Sequence, residues 1–558
     1  MPIIPCFLLN KKINQQDLMG LFFSIIFGII CSLFIFILPD AISSSYGYVI
    51  QNNNSIFYIK FVSCIIGLFS IQYYFYVLYA KHLFYCKINI IKKLVNTLFF
   101  AIGYFFVGLF WLNDAMYIYG GFPLVASLLA CLLFSIYNSL FFVFFVLISP
   151  KFIFIPFAFV LCEWLRGTLF TGFPWLNLGY ALIDTPFSFF AQYVGVYGLE
   201  FLALFIFSLL ILFLKKLNIL YIRFAISLVI VFCMCFANYI YTLNIPNYES
   251  EIKNKISIRV IQGAISQDKK FSKSQILDDI SMHLNLMLGD NYNSSNPSKK
   301  FIPDLIITPE TVFPVVIDDL PDDVYARMLD YSQKNSTSIL FGAAGSLNSQ
   351  YTNSLFFISN NNKDAIKTYH KYHLVPFGEF IPYGFKWFVN NLIMPMGDFA
   401  SGDLVQDSFI FNKNGKLIRF SANICYELLF GEELAEVNKK NNPDFFVNST
   451  NLGWFGNAGL VQFLNIARMR ALELKKTIIV SNNSGISAVI LPNGIVKKWL
   501  DIDKKGVLDL DIGIGTHNQD STFYTKHGNL PILIFSIISF IFLVYYNIIV
   551  NRSHKNNL

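Results

Sequence analysis

Long apolar runs and one polar interval alternate along this chain, and their order sets the first constraint on its fold. Apolar stretches at 17–38, 57–80, 94–112 and 123–148 each reach the about 20 residues that an α-helix needs to cross a bilayer. Three more, less cleanly separated, follow at 152–170, 192–214 and 219–241, and an eighth at 530–550 comes after the polar interval 244–526. Inside that interval the period shortens. Runs at 256–262, 305–308, 338–343, 353–359, 409–411, 417–424, 444–448, 477–481, 488–491 and 507–511 read as strands. Helical spacing predicts helices over 276–288, 322–335, 426–438 and 459–475. Strand alternating with helix in one compact region predicts an α/β sandwich with its chemistry at the strand ends.

Composition agrees with this division, and charge gives it a direction. Of the 558 residues 55% are hydrophobic and only 14% charged, a balance that fits a multi-span membrane protein and no single soluble domain. The net charge of +7 is largely a topology signal. Lys11, Lys12, Lys81, Lys87, Lys92, Lys93, Lys151, Lys215, Lys216, Arg223, Arg552 and Lys555 fall on one face of the expected spans, whereas 39–56 and 113–121 carry no lysine or arginine. The positive-inside rule then puts both termini in the cytoplasm and the polar interval outside. The expected division is a seven-span region 1–243, an extracytoplasmic domain 244–526, and a final span with its tail over 527–558. Lysines scattered over short loops do not form the basic face that a nucleic-acid partner requires.

Eight of the nine cysteines lie in or beside apolar runs, and Cys425 alone sits in the polar interval. Without a partner in its own domain it cannot form an internal disulfide, so it is either a core thiol or a nucleophile. It stands where a strand gives way to a predicted helix, an elbow at which the helix dipole would stabilise a thiolate. Two other strand ends carry charge. Pro309-Glu310-Thr311 delivers a carboxylate that desolvation could turn into a base, and the loop from Tyr369 to Pro382 holds Lys371 and Glu379 apart. Singly, each is what most domains contain. A Cys-His pair of Cys425 with His370 or His373 is the alternative, although no Asn or Asp stands out to orient it. The histidines show no ligand spacing, so neither a metal nor an organic cofactor is expected. Residues 380–399, with Trp387 among ten apolar side chains, read as a mobile arm that touches the membrane and covers the site. Glu163 and Arg166, one helical turn apart in a span, are expected to pair or to meet lipid headgroups.

Together and in this order, Glu310, Lys371 and Cys425 resemble the Glu-Lys-Cys triad of the nitrilase superfamily. More narrowly, the chain resembles the apolipoprotein N-acyltransferases of bacterial inner membranes. The narrower likeness rests on Glu163-Trp164-Leu165-Arg166-Gly167, the run Thr171 to Tyr180, Val260-Ile261-Gln262-Gly263, Pro309-Glu310-Thr311, the run His373 to Pro382, Ile424-Cys425-Tyr426-Glu427, Trp454-Phe455-Gly456 and the run Ile466 to Glu473. The resemblance implies a nitrilase-like αββα sandwich inserted before the last helix of an eight-helix membrane domain. It implies a cofactor-free, ping-pong acyl transfer from a membrane phospholipid, through a thioester on Cys425, to the α-amine of a diacylglyceryl-modified apolipoprotein. Glu310 would be the base, Lys371 with the Tyr426 N–H the oxyanion site, and Glu379 and Glu427 its supports. Phe271, Trp387 and Trp454 would face substrate, in a monomer embedded in the bilayer. Departures from the family pattern are Phe271 at a usual tryptophan, Ser266 at a usual proline, Leu452 at a usual aspartate, and a missing histidine within 460–463. A membrane-tethered amidase and a catalytically dead scaffold or transporter are the competing readings.

Overall fold

A computed structural model describes residues 15–41, 54–79, 82–83, 86–87, 89–149, 151–216, 254–270, 274–289, 301–360, 362–382, 398–514 and 521–556. The apolar run 219–241, the arm over 383–397, Phe271 and Trp387 lie outside the described residues.

The N-terminal region is helical: α1 (Gln15–Ser32), α2 (Asn54–Tyr79), α3 (Ile90–Gly108), α4 (Leu124–Ile148), α5 (Ile155–Arg166) and α6 (Ala191–Lys216). Five described stretches, Leu18–Ala41, Ile59–Tyr79, Ile90–Gly108, Leu124–Ile148 and Pro186–Lys215, are long and apolar enough to cross a membrane. Small residues let them close up. A Cβ at Gly28 would lie 1.9 Å from the Phe100 carbonyl oxygen and one at Gly103 2.3 Å from that of Ile25, so α1 and α3 touch backbone to backbone.

The helix expected through 152–170 ends early. It folds as a 3₁₀ turn, Phe152–Phe154, followed by α5, which stops at Arg166. Arg166 is the cause. Its fully buried guanidinium pairs with Glu163 and donates to the carbonyls of Phe173 (2.5 Å) and Trp175 (2.8 Å), folding the chain back over the helix end. The loop so held passes through Phe170, Thr171 and Gly172, all at positive φ.

The polar interval folds as two six-stranded sheets face to face. One runs β12-β1-β2-β3-β4-β5, with β1 (Asn254–Gln262), β2 (Leu305–Ile307), β3 (Ser338–Leu347), β4 (Gln350–Ser359), β5 (Asn362–His370) and β12 (Gly506–Ile514). The other runs β11-β10-β9-β8-β7-β6, with β6 (Phe409–Lys413), β7 (Lys416–Ile424), β8 (Phe445–Thr450), β9 (Thr477–Asn482), β10 (Ser487–Ile490) and β11 (Val496–Leu500). In each, three central strands are parallel and the outer ones antiparallel, so the carboxyl ends of β1 to β3 and of β7 to β9 gather at common edges. Ile258, Leu305, Leu340 and Phe357 of the first sheet meet Phe420, Phe445, Val447 and Ile479 of the second. Each such side chain contributes about 1.5–3 kcal/mol by leaving water. Helices α7 (Ile276–Leu288) and α8 (Asp322–Asn335) cover the first sheet, and α9 (Gly431–Asn441) and α10 (Asn457–Leu474) the second.

That second helical layer belongs to the same apolar core as the N-terminal helices: one cluster runs from Phe100 and Phe142 to Leu464 and Ile478. Polar bonds reinforce the seam. Gln462 of α10 accepts from the indoles of Trp111 (3.0 Å) and Trp175 (2.6 Å). Where α6 breaks at Gly195 (φ 63), the freed Val196 N–H donates to Glu473 at 2.8 Å. The final helix, α11 (Leu530–Asn556), packs back on α5 and α6 through Phe535 and on the 3₁₀ turn before α5 through Phe540.

Candidate active site

Glu310, Lys371 and Cys425 arrive at one edge of the sandwich from the ends of β2, β5 and β7. After β2, Thr311 takes a φ of 49° and the turn presses on β3, where a Cβ at position 342 would lie 2.6 Å from the Thr311 nitrogen, so Gly342 is required. The Lys371 N–H donates to the Asn353 carbonyl (2.9 Å), and thus β4 sets where the lysine begins. Its ammonium, 1% exposed, lies 2.8 Å from Glu379 and 3.7 Å from Glu310. The Asn353 amide donates to both carboxylates at 2.7 Å, so one side chain spaces the pair around the lysine. Burial alone would pull Lys371 down, but Glu379 and Glu310 outweigh it and hold the ammonium above its ordinary value.

Cys425 occupies a left-handed backbone position, φ 51, at the tip of the elbow. The helix expected over 426–438 is divided. A 3₁₀ turn, Cys425–Leu429, ends at Phe430, and α9 restarts at Gly431, where a Cβ would collide with the Arg470 guanidinium. A single turn carries little dipole. The expected stabilised thiolate is corrected accordingly: burial, then the Glu310 carboxylate, push the thiol up to about 12 against the pull of Lys371. At neutral pH it keeps its proton until a base removes it.

Glu427 ties the lysine strand to the elbow. Its buried carboxylate accepts from the Tyr369 hydroxyl (2.9 Å), from the backbone N–H groups of Tyr372 (2.7 Å) and His373 (3.1 Å), and from Ile424 N–H (2.5 Å). Burial pushes it up to about 7, opposed by the Ile424 N–H and Lys371. Every neighbour donates, so Glu427→Gln turns an NH₂ toward donors. We expect a loss of about 1–3 kcal/mol in unfolding free energy, read from denaturant unfolding in detergent; an unchanged midpoint would refute the buttress.

Neither histidine is placed to pair with Cys425. The Nδ1 of His370 faces Ser354 (2.9 Å) and Thr352 (3.0 Å), while His373 faces Glu433 (2.8 Å) and the Thr171 carbonyl (2.9 Å). Trp454 stands at the domain seam with its edge on Tyr119, ring centroids 5.9 Å apart, while Phe455 packs inward on Trp111. Among the described residues no cluster of three His, Cys, Asp or Glu side chains could hold a metal ion.

Two side chains of the site were missed from sequence. Lys270, buried, donates to the Glu310 carbonyl at 3.0 Å, and burial lowers it to about 8 while Glu310 and Cys425 pull it back up. It follows the end of β1, in a short helical turn that no motif of the sequence marked. Asn353 was legible as a polar residue on a buried strand, but its neighbours were not.

Two protein-family models match the chain: the apolipoprotein N-acyltransferase N-terminal domain over residues 62–210 and carbon-nitrogen hydrolase over 258–519. The apolipoprotein N-acyltransferase of Ralstonia nicotianae is 34% identical over 78% of this chain and 81% of its own length. The chain belongs to this family. It is an acyltransferase, with a carbon-nitrogen hydrolase sandwich joined to apolar helices of membrane-spanning length. Family members of the same name from Haemophilus ducreyi (31% identical, 83% of this chain and 89% of theirs) and Wigglesworthia glossinidia brevipalpis (33%, 82% and 89%) extend the match across both regions. A CN-hydrolase superfamily protein of known structure from Xanthomonas campestris, 16% identical, covers 50% of this chain and 97% of its own with a TM-score of 0.33.

Proposed function

We propose that this protein transfers a fatty acyl group from a membrane phospholipid to the free α-amine of an S-diacylglyceryl cysteine at the N-terminus of bacterial apolipoproteins, in two steps through a thioester on Cys425. The reading is carried by one observation: a lysine held charged between two carboxylates beside a protonated thiol at a strained elbow.

Glu310 takes the thiol proton as sulfur attacks the ester carbonyl. Lys371 and the Tyr426 N–H stabilise the oxyanion, the C–O bond breaks, and the lysophospholipid leaves with the proton from Glu310. In the second step the amine attacks the thioester, a C–N bond replaces the C–S bond, Glu310 collects the amine proton, and the thiolate recovers it. An amide is more stable than a thioester, so transfer runs downhill without ATP. Glu379 keeps Lys371 in place, and Phe271, Trp387 and Trp454 contact substrate. We further infer a single-chain enzyme of the bacterial inner membrane, with the domain 244–526 periplasmic between a seven-span region 1–243 and a last span in 527–558, both termini cytoplasmic. The asymmetry of lysine and arginine between alternate loops supports that orientation.

The test is full-length protein in liposomes of phosphatidylethanolamine with a synthetic diacylglyceryl-cysteine peptide. The expected product is the N-acylated peptide plus lysophospholipid, with no product from a peptide whose α-amine is blocked. Ammonia released from small amides, with no acylated peptide, would instead identify a membrane-tethered amidase.

A further inference from the structure

His373 has hydrogen-bond acceptors on both sides. Its Nδ1 lies 2.8 Å from a Glu433 carboxylate oxygen and its Nε2 2.9 Å from the Thr171 carbonyl oxygen. A neutral imidazole carries one N–H and can satisfy one of these; both bonds require the imidazolium. The ring stacks on Phe430 with centroids 3.6 Å apart and planes 15° apart, a face that favours a cation.

The partners make this more than a buried ion pair. Phe430 and Glu433 lie just beyond the nucleophile elbow, and the His373 N–H shares the Glu427 carboxylate with Ile424 at its start. Thr171 belongs to the loop that follows the short helix α5. The next carbonyl of that loop, Gly172, accepts from the Tyr426 hydroxyl at 2.8 Å, and Tyr426 follows Cys425 directly. Consecutive carbonyls of one loop are therefore gripped by the catalytic loop and by the elbow. That grip coincides with strain: Phe170, Thr171 and Gly172 have φ values of 53, 76 and 81, and a β-branched residue adopts such a conformation only when its surroundings impose it. A Cβ at position 172 would lie 2.0 Å from the Gly167 carbonyl oxygen, so glycine alone fits there. From below, Arg166 anchors the same loop.

We propose that His373 is a positioning residue whose two ring nitrogens clamp the Cys425 elbow to the 170–172 loop of the membrane-spanning region. The inference rests on the acyl-transfer reading above and adds a role for the helical region beyond anchorage, namely registering the nucleophile against Lys371. Besides Glu433, the groups around the ring are Glu427 through the backbone N–H, the Tyr426 and Tyr372 rings, Lys371 two residues earlier, and Arg166 beneath the loop.

The test is the single-turnover rate of acyl loading onto Cys425 in full-length protein with phosphatidylethanolamine, read by intact mass. His373→Phe keeps the stack and removes both donors; it is expected to load about 100-fold more slowly, the effect of a displacement of about 1 Å. The phosphatidylethanolamine concentration that gives half-maximal loading should stay unchanged, because the ring touches the elbow and the loop and not the substrate. Glu433→Leu, which removes the acceptor opposite Nδ1, should slow loading in the same way. Loading of His373→Phe at the wild-type rate, or a loss accounted for by weaker phospholipid binding alone, would overturn the clamp. If that variant does not fold, Glu433→Leu loading at the wild-type rate overturns it instead. Wild-type protein that gains no acyl group would remove the acyl-transfer reading itself, and this inference with it.

Discussion

Replacing Lys371 with methionine is expected to lower kcat roughly 100- to 1,000-fold with KM for the lipopeptide nearly unchanged, as for removal of an oxyanion donor that acts only in the transition state. The buried ammonium sits 2.8 Å from Glu379 and 3.7 Å from Glu310 and is the cation that lets both carboxylates share one amide donor, Asn353. Without it two negative charges face each other in a buried site. One must take a proton, so the base is impaired along with the oxyanion site. Lys371→Arg should not restore activity, because a planar guanidinium does not fit a position built for a compact ammonium. Steady-state kinetics on folded protein decide it: near-normal kcat in Lys371→Met would refute the assignment.

Glu310→Gln is expected to separate two reactivities of one thiol. Acyl transfer should fall about 100- to 10,000-fold, the usual worth of a general base. Alkylation of Cys425 by iodoacetamide should be unchanged or faster, since the Glu310 carboxylate is among the causes that push the thiol up to about 12 and its removal lowers that value. Because the ionised fraction grows tenfold per pH unit below that value, the residual transfer should climb steadily with pH. If alkylation and transfer fell together, Glu310 would be holding the elbow in place rather than moving a proton.

Among the described residues the periodicity of the chain carried the apolar helices and most strands, because burial on one or both faces of an element leaves its mark on hydrophobic spacing. It missed β5, Asn362–His370, whose lysines, aspartate and threonine hide the pattern of an outer strand, yet that strand delivers Lys371. It ran the helix at 152–170 past Arg166 because hydropathy does not register one arginine turning the chain back through carbonyl contacts. The elbow was placed correctly at Cys425, but its electrostatics were not. The sequence reads as a helix start, whereas the break at Phe430 depends on Arg470, far along the chain in α10. Residues that act by contact across the fold, such as Lys270, Asn353 and the Thr171–Gly172 carbonyls, have no local signature at all.

A covalent acyl group on Cys425 is read most directly from the intact mass of the full-length protein after incubation with phosphatidylethanolamine and then with a diacylated lipopeptide. The expected result is a gain of one fatty acyl group, located on Cys425 by peptide mapping, lost on addition of the lipopeptide and absent from Cys425→Ala. An unmodified mass in folded wild-type protein across several phospholipids, or an adduct that persists in Cys425→Ala, would contradict it.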